Sequence, residues 1–461
     1  MKKYFALLAG LFVFGFAFAL EQTEPAPVRN VIWVIGDGMG PELMGFLMQG
    51  VRAGALADYP DKTCTLEQFI NEGEQGFFFN HTHDTVVTDS AAAATQMATG
   101  QWSLPGRIGI DYQGKPAVTL LELAKQKGKS IGIISDTYVT DATPAGFTAH
   151  TDSRRNKMEI ARQQIQLGVD VILGGGKQYF STGENKDLLT AANEQGYRVV
   201  QDKKALTKVR TGKLLGLFAD KALPMAVEMH AHPKVPTLAL QTQKALEILS
   251  QNPEGFVLMV EAGRIDWAAH DNDAGSTLAE LKVLDKTLAV VRDFIQTHPD
   301  TLVYINADHD TGLGAFTYQV LSKEQATHKT EQGEVLYDGK NFYGSFDTYA
   351  LLEKQRQNLY TLENELKKMP PQKRTPQLLQ KKLSHAVGYP LNITEFENLE
   401  DISGIFKQLN DKYSMVWATK THSSSMLVGI AYGPYQELFK GVYHNTDILP
   451  KMKTALGWSE E

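Results

Sequence analysis

Cysteine is almost missing from this 461-residue sequence; Cys64 is the only one. A single thiol excludes an intrachain disulfide. It also excludes a zinc site built on thiolates, so any zinc would have to sit on histidine and carboxylate. Excess positive charge is missing too. Lys and Arg number 46 against 53 Asp and Glu, a net charge of −7, which leaves no electrostatic footprint for nucleic acid. Internal repeats and low-complexity tracts are absent. So are long apolar runs beyond the N-terminus, where Lys2-Lys3 precede an apolar stretch from Phe5 to Phe16 and then Ala17-Phe18-Ala19. That stretch is short for a bilayer span. Its order of charged, apolar and small residues is that of a secretory signal peptide over residues 1–19. No cysteine follows to accept a lipid. The expected mature chain, residues 20–461, is exported to the periplasm or the medium and has no membrane contact.

What the sequence does have is a set of apolar runs that end in acids or histidine. Val31-Ile-Trp-Val-Ile35 runs into Gly36-Asp37-Gly38, and Phe256-Val-Leu-Met-Val260 ends at Glu261, with Asp266 and His270 just beyond. Leu302-Val-Tyr-Ile-Asn306 ends in Ala307-Asp308-His309-Asp310. An apolar run of this length reads as a buried strand. Further candidates are Ser130–Ile134, Val169–Leu173 and Met426–Ala431. Strands alternate with helical patterns, including a long one over about Ser276 to Gln296 that reads as a crossover between two strands. The expected fold is a three-layer α/β/α sandwich on a mostly parallel sheet. Ligands of such sheets bind beyond the carboxyl ends of the strands. At least four carboxylates and two histidines should therefore meet in one crevice, which they can share only with strong cations among them. The stretch from about 316 to 415 differs, being rich in Lys, Gln, Glu, Asn and Tyr and broken at Pro370-Pro371. It reads as an insertion on the sheet's rim, serving as an interface or a substrate lid.

Individual motifs sharpen this picture. Gly36-Asp37-Gly38-Met39-Gly40-Pro41 follows a strand and opens a helix, with Pro41 suited to its first position. Asp37 sits where a dinucleotide's pyrophosphate would lie, which favours a metal ligand instead. Thr88-Asp89-Ser90 before Ala91–Ala94 reads as a helix start, and taken alone it is a cap. The functional reading makes Ser90 a candidate nucleophile at a helix start, where backbone N–H groups favour an anion. No G-x-S-x-G elbow surrounds it, so a metal would be its activator. Asp266 and His270, four apart, would share one helix face, a natural two-ligand half-site for zinc. Asp141 and Thr143 suit a hard cation, and Arg154 or Arg155 could fork onto phosphate oxygens. His422 precedes its strand, which should therefore run antiparallel unless the loop folds back. His81-Thr-His83-Asp84 and Gly174-Gly175-Gly176-Lys177 imitate a metal motif and a phosphate loop. The first lies in a polar loop, and the second lacks P-loop spacing.

Together these pieces resemble the bacterial alkaline phosphatases. Asp37, Asp89-Ser90-Ala91, Asp141-Ala-Thr143-Pro144, His150-x-x-Ser-Arg154, Glu261, Asp266-x-x-x-His270, Asp308-His309 and Thr421-His422 fall in the family's order. The match runs from about Val28 to Gly433, apart from the insertion. The resemblance implies a phosphomonoesterase active at alkaline pH, with two zinc ions and one magnesium, cobalt being an alternative in the third position. Asp266, His270 and His422 would hold the first zinc, and Asp37, Asp308, His309 and the Ser90 oxygen the second. Asp37, Thr143 and Glu261 would hold the third metal, with Asp141 acting through waters. Ser90 would form a phosphoserine intermediate, and Arg154, held by Asp89, would clamp the phosphate. The expected partners are small phosphate monoesters and a second copy of the chain. Trp267 is a departure at the substrate-binding side. It stands where enterobacterial members carry Lys and mammalian ones His, so any water-mediated charge contact to phosphate is lost there. The alternatives are a phosphodiesterase of the same superfamily, whose nucleophile is usually Thr, and a metal- or phosphate-binding protein without turnover.

Overall fold

The computed structural model describes residues 27–320, 341–396, 398, 399 and 401–458. The signal-peptide expectation for residues 1–19 lies outside them, as does part of the expected insertion. Among the described residues, ten strands form one sheet. In chain order they are β1 (Asn30–Gly36), β2 (Glu74–Phe79), β3 (Ser130–Tyr138), β4 (Val171–Gly175) and β5 (Arg198–Val200). β6 (Leu214–Leu217), β7 (Phe256–Ala262), β8 (Thr301–Asn306), β9 (Leu427–Tyr432) and β10 (Gly441–His444) follow. Their order across the sheet is β10-β2-β9-β8-β1-β7-β3-β4-β6-β5. Every neighbouring pair is parallel except the two that involve β9.

The apolar runs form the middle of the sheet because burial on both faces suits continuous Val, Ile and Leu. Every residue of β1, β7 and β8 is buried. Register aligns their ends, since Ile35 lies beside Glu261 on one side and Asn306 on the other. Asp37, Glu261 and Asp308 thus emerge at one level of the sheet. The long helix Ala274–Ile295 joins β7 to β8 across β1, as its sequence pattern predicts. β9 runs antiparallel to β8, so the residues before it, His422 among them, are returned to the carboxyl ends of the other strands. A two-residue bridge then pairs His422 with Thr311 and Ser423 with Asp310.

The expected insertion is bounded by a short antiparallel ribbon in which Gly314–Phe316 pairs with Met415–Trp417. Its helices Asp347–Leu352, Leu359–Lys368, Pro376–Val387 and Ile402–Lys412 bury Tyr349, Leu362, Leu383 and Leu409 in the same hydrophobic core as the sheet. No helix among the described residues is long and apolar enough to cross a membrane.

The helix Ser90–Thr99 is buried over its whole length. Its alanines allow the short helix Ala142–Gly146 to lie against it. A Cβ on Gly146 would come within 2.8 Å of the Ala94 side chain and 3.0 Å of its backbone. These two helices carry Ser90 and Thr143, so their spacing sets the site. Gly146→Val should lower unfolding stability by about 1–3 kcal/mol through overpacking and reduce turnover disproportionately. Denaturant unfolding alongside activity checks this; unchanged stability and turnover would show that the two helices yield easily.

Candidate active site

The loop after β1 brings Asp37 into the crevice through two backbone constraints. Gly38 has φ +71°, and a Cβ there would lie 2.8 Å from Thr311 Oγ1 and 2.9 Å from Asp266 Cα. Only glycine tolerates both. Pro41 opens the next helix, with Gly40 as its cap. The backbone N–H groups of Gly38 and His309 both donate to Asp308 Oδ1, at 3.1 and 2.9 Å. The other oxygen, Asp308 Oδ2, and Asp37 Oδ1 are buried without a hydrogen-bond partner.

Three histidines face this cluster in the same tautomer, fixed by what stands behind each ring. His270 Nδ1 lies 2.6 Å from the Lys420 carbonyl and His422 Nδ1 lies 3.0 Å from the Thr88 carbonyl. A carbonyl only accepts, so each Nδ1 carries the hydrogen and each Nε2 presents a lone pair. Those two Nε2 atoms face one another at 3.1 Å, with Asp266 Oδ1 3.3 Å from the first and 3.7 Å from the second. Thr311 Oγ1 donates to Asp266 Oδ1 at 2.6 Å and lies 3.2 Å from His309 Nδ1. Its one hydrogen is committed, so His309 Nδ1 is the donor in that contact. His309 Nε2 then points its lone pair at Asp308 Oδ2 (3.2 Å), Asp37 Oδ1 (3.6 Å) and Ser90 Oγ (3.1 Å). Burial and the neighbouring His422 hold the His309 ring well below its ordinary pKa. A neutral ring makes no ion pair with those carboxylates, and lone pairs aimed at carboxylate oxygens need either a proton or a metal cation between them.

The geometry therefore fits divalent metals. The ligand atoms of Asp266, His270 and His422 lie within 4.8 Å of one another, as do those of Asp37, Asp266 and His309. Asp266 belongs to both groups. Beside them, Thr143 Oγ1 donates to Asp37 Oδ2 at 3.3 Å. Glu261 accepts from Ser135 and, at 3.3 Å, from Thr137. Burial pushes Glu261 up to about 8, aided by Asp141 and Asp136. Burial likewise raises Asp37 and Asp308 above the usual carboxylate range, with Asp308 and Asp266 adding to the effect on Asp37.

Asp89 caps the Ser90–Thr99 helix by accepting from Ala92 N at 3.0 Å, so the cap and the candidate nucleophile are adjacent residues. Gly106 N donates to both Asp89 oxygens at 3.1 Å, and Arg154 Nη1 donates to Oδ2 at 3.1 Å. Asp141 stands near enough to Glu261 to raise it, and one of its oxygens is held by cations. Its Oδ1 accepts from Lys157 at 2.9 Å, from Ala142 N at 2.9 Å and from Arg154 Nη2 at 3.5 Å. Asp141 caps its own short helix, which turns this oxygen toward the cations. Burial alone would raise Asp141, but Lys157 and Arg154 hold it below the usual range. The half-buried ring of Trp267 is covered by the Arg264 guanidinium at 4.5 Å and lies 5.9 Å from Tyr138. His150 pairs with Glu122 at 2.9 Å and serves the scaffold. The decoy histidines are engaged elsewhere: His83 stacks on Tyr112 at 4.1 Å, and His81 lies against Trp102 at 5.1 Å. Sequence reasoning missed Ser135, Thr137, Thr311 and Lys157. Of these, Ser135 and Thr137 alternate at the end of a strand, a pattern that places their side chains on one face.

A sequence profile of the family described as Alkaline phosphatase matches residues 28–458. Alkaline phosphatase 4 of Bacillus subtilis is 31% identical over 96% of this chain and 92% of its own length. The crystal structure of a cold-active alkaline phosphatase from a psychrophilic Shewanella species superposes with a TM-score of 0.74 at 30% identity, covering 93% of this chain and 99% of that one. The Thermus thermophilus alkaline phosphatase superposes with a TM-score of 0.80 at 26% identity, covering 98% of this chain and 97% of that one.

The raised acids give the metal-free protein a particular pH response. Folded, Glu261 keeps its proton to about pH 8, whereas the unfolded chain ionises it near the ordinary value of about 4.3. The folded state then binds more protons, so stability falls as pH rises through that interval. His309 acts oppositely below about pH 6.5, because it stays neutral when folded, so from about 6.5 to 8 it no longer opposes the acids. Chelated protein should lose thermal stability across that window, and divalent metal should flatten the loss by binding the ionised forms. Glu280, also pushed to about 8 by burial but bonded to Ala226 N, and Asp271, pushed by burial to about 7, add a slope of their own that the metals do not remove. The difference between the two curves is therefore the quantity to measure, and identical slopes would contradict the metal assignment.

Proposed function

This chain belongs to the alkaline phosphatase family of metal-dependent phosphatases, and from that premise we propose that it hydrolyses phosphate monoesters through a phosphoserine on Ser90. Two zinc ions and one magnesium would be its cofactors. Asp266, His270 and His422 would hold one zinc, and Asp37, Asp308, His309 and Ser90 Oγ the other. Asp37, Thr143 and Glu261 would hold the third metal, with Asp141 acting through waters and cobalt as an alternative ion.

The observation that carries this reading is the position of Ser90 Oγ. It lies at the first turn of a buried helix, 3.1 Å from His309 Nε2 and beside the buried carboxylates. Backbone N–H groups at a helix start favour the negative charge that develops on an attacking oxygen or a bound phosphate. Asp89 holds Arg154 next to Ser90, where the guanidinium fork would grip two non-bridging phosphate oxygens. Ser90 Oγ would attack phosphorus opposite the leaving alkoxide, and water would later release phosphate from the phosphoserine. The metals, when bound, supply the charge that lowers the pKa of the attacking hydroxyl and stabilises the leaving oxygen. Only the phosphate is held by this arrangement, so many alcohols should be accepted.

Residues 316–415 would be an insertion in a single catalytic domain, residues 20–461, behind a signal peptide over residues 1–19. Export and a homodimer belong to the same reading. Phe77 and Phe79 of β2 and Val442 of β10 are exposed on adjacent strands at one edge of the sheet, and an exposed apolar patch suits a second copy. Native mass spectrometry of the exported protein reads both claims. The expected species is a dimer of chains beginning at Leu20; a monomer or a retained N-terminus would contradict one or the other.

Phosphate release from an aryl phosphate at alkaline pH tests the central claim. Activity should vanish on chelation and return with zinc plus magnesium. Ser90→Ala should lower kcat by at least about 10³-fold, as loss of a catalytic nucleophile does, while phosphate binding survives. Hydrolysis of diesters in preference to monoesters, or an active Ser90→Ala, would overturn it.

A further inference from the structure

We propose that Lys157 sets the affinity for phosphate by neutralising Asp141, which leaves Arg154 free to turn toward the substrate. The inference rests on the reading of Arg154 as the phosphate clamp. Arg154 stands between two carboxylates, and both compete with phosphate for its N–H groups. Asp89 takes one edge at 3.1 Å and is itself fixed by the helix cap and Gly106. Asp141 reaches the other edge at only 3.5 Å, the outer limit of a hydrogen bond. The same Asp141 oxygen is held more closely by Lys157, at 2.9 Å, and by Ala142 N. Asp141 therefore spends its charge on the lysine, and its hold on Arg154 is weak enough for a dianion to replace.

The placement of Lys157 supports a dedicated role. It is the first residue of the helix Lys157–Leu167, where the helix dipole disfavours a cation. The Asp141 contact offsets that, as do two aromatic faces. The Lys157 ammonium lies 4.6 Å from the Tyr138 ring centre and 5.8 Å from that of Tyr179. Its side chain is 18% exposed against 31% for Arg154, so Lys157 is fixed while Arg154 remains reachable. Lys157 is thus a positioning residue that acts through Asp141. Without it, Asp141 would draw Arg154 fully into its own ion pair.

The test uses full-length mature protein loaded with zinc and magnesium, with metal content and thermal midpoint measured for each variant. The readouts are KM and kcat for an aryl phosphate, the inhibition constant of inorganic phosphate, and phosphate binding by calorimetry. Lys157→Gln should raise KM and both phosphate constants together by about tenfold, equivalent to about 1.4 kcal/mol, with kcat changed by less than about threefold. Lys157→Arg, which keeps the charge, should stay within about twofold of the parent protein. In an Asp141→Asn background, Lys157→Gln should change phosphate affinity no further, because nothing remains to neutralise. Unchanged phosphate affinity in Lys157→Gln would overturn the proposal. An equal loss in the Asp141→Asn background would overturn it too, since Lys157 would then touch phosphate directly. Arg154→Ala separates the two levels: if it leaves phosphate affinity intact, the clamp reading itself has failed.

Discussion

Everything at this site follows from one electrostatic constraint: buried carboxylates and imidazole lone pairs are pressed together with too few protons and too few cations to satisfy them. Asp37, Glu261 and Asp308 are each raised above their ordinary range by burial. The Nε2 atoms of His270 and His422 confront each other at 3.1 Å. A protein gains nothing in stability from such an arrangement by itself. It makes sense when divalent charge supplies what the side chains lack. The surrounding structure serves to hold these groups close while keeping them from relaxing apart. Gly38 admits Thr311 and Asp266 where a side chain would not, and the alanine run behind Ser90 lets the helix that carries Thr143 lie close.

Topology delivers these groups from distant parts of the chain. Parallel strands all end on one side of a sheet, so β1, β7 and β8 contribute Asp37, Glu261 and Asp308 at one level. The third histidine must come from a strand that runs the other way, because it precedes that strand. β9 is antiparallel to β8, and the bridge pairing His422 with Thr311 fixes it beside His309. The carbonyls of Lys420 and Thr88 then select the tautomers of His270 and His422. Backbone placement thus decides which nitrogen of each ring faces the metal side.

The legible part of this design was the part written in short-range pattern. The central strands announce themselves as apolar runs, and acids at their ends stand out because a buried strand rarely continues into charge. Asp266 and His270 are legible from helical spacing alone, and their contact at 3.3 Å follows from it. His422 has no such local signal, since its position depends on the direction of the following strand; here family resemblance supplied what periodicity could not. Lys157 was illegible for a different reason. Its partner Asp141 is sixteen residues away across a turn, and a lysine at a helix start reads as solvated surface. Ser135 and Thr137 were missed because β3 continues to Tyr138 past its apolar portion. The outer strands β2, β5, β6 and β10 escaped notice because they are short or only partly buried.

The 316–415 stretch shows how composition can conceal position. Its Gln and Asn content reads as rim, yet several of those side chains reach the turn that follows His270. Buried Asp273 caps the long Ala274–Ile295 helix through Ser276 N at 3.0 Å. It also accepts from Gln355 Nε2 at 2.7 and 2.9 Å, from Asn358 Nδ2 at 3.2 Å and from Leu359 N at 2.8 Å. Asn410 Nδ2 donates to the carbonyl of Asn272, whose own φ of +54° marks a tight bend. A carboxylate buried this deeply is tolerable only when it is fully hydrogen-bonded, and here Gln355, Asn358 and Leu359 of the 316–415 stretch add their donors to those of Ser276. Polar residues that look dispensable in sequence thus satisfy the turn that ends the Asp266–His270 helix. The 316–415 stretch and the turn beside His270 are parts of one hydrogen-bonded body, and the stretch shares its hydrophobic core with the sheet.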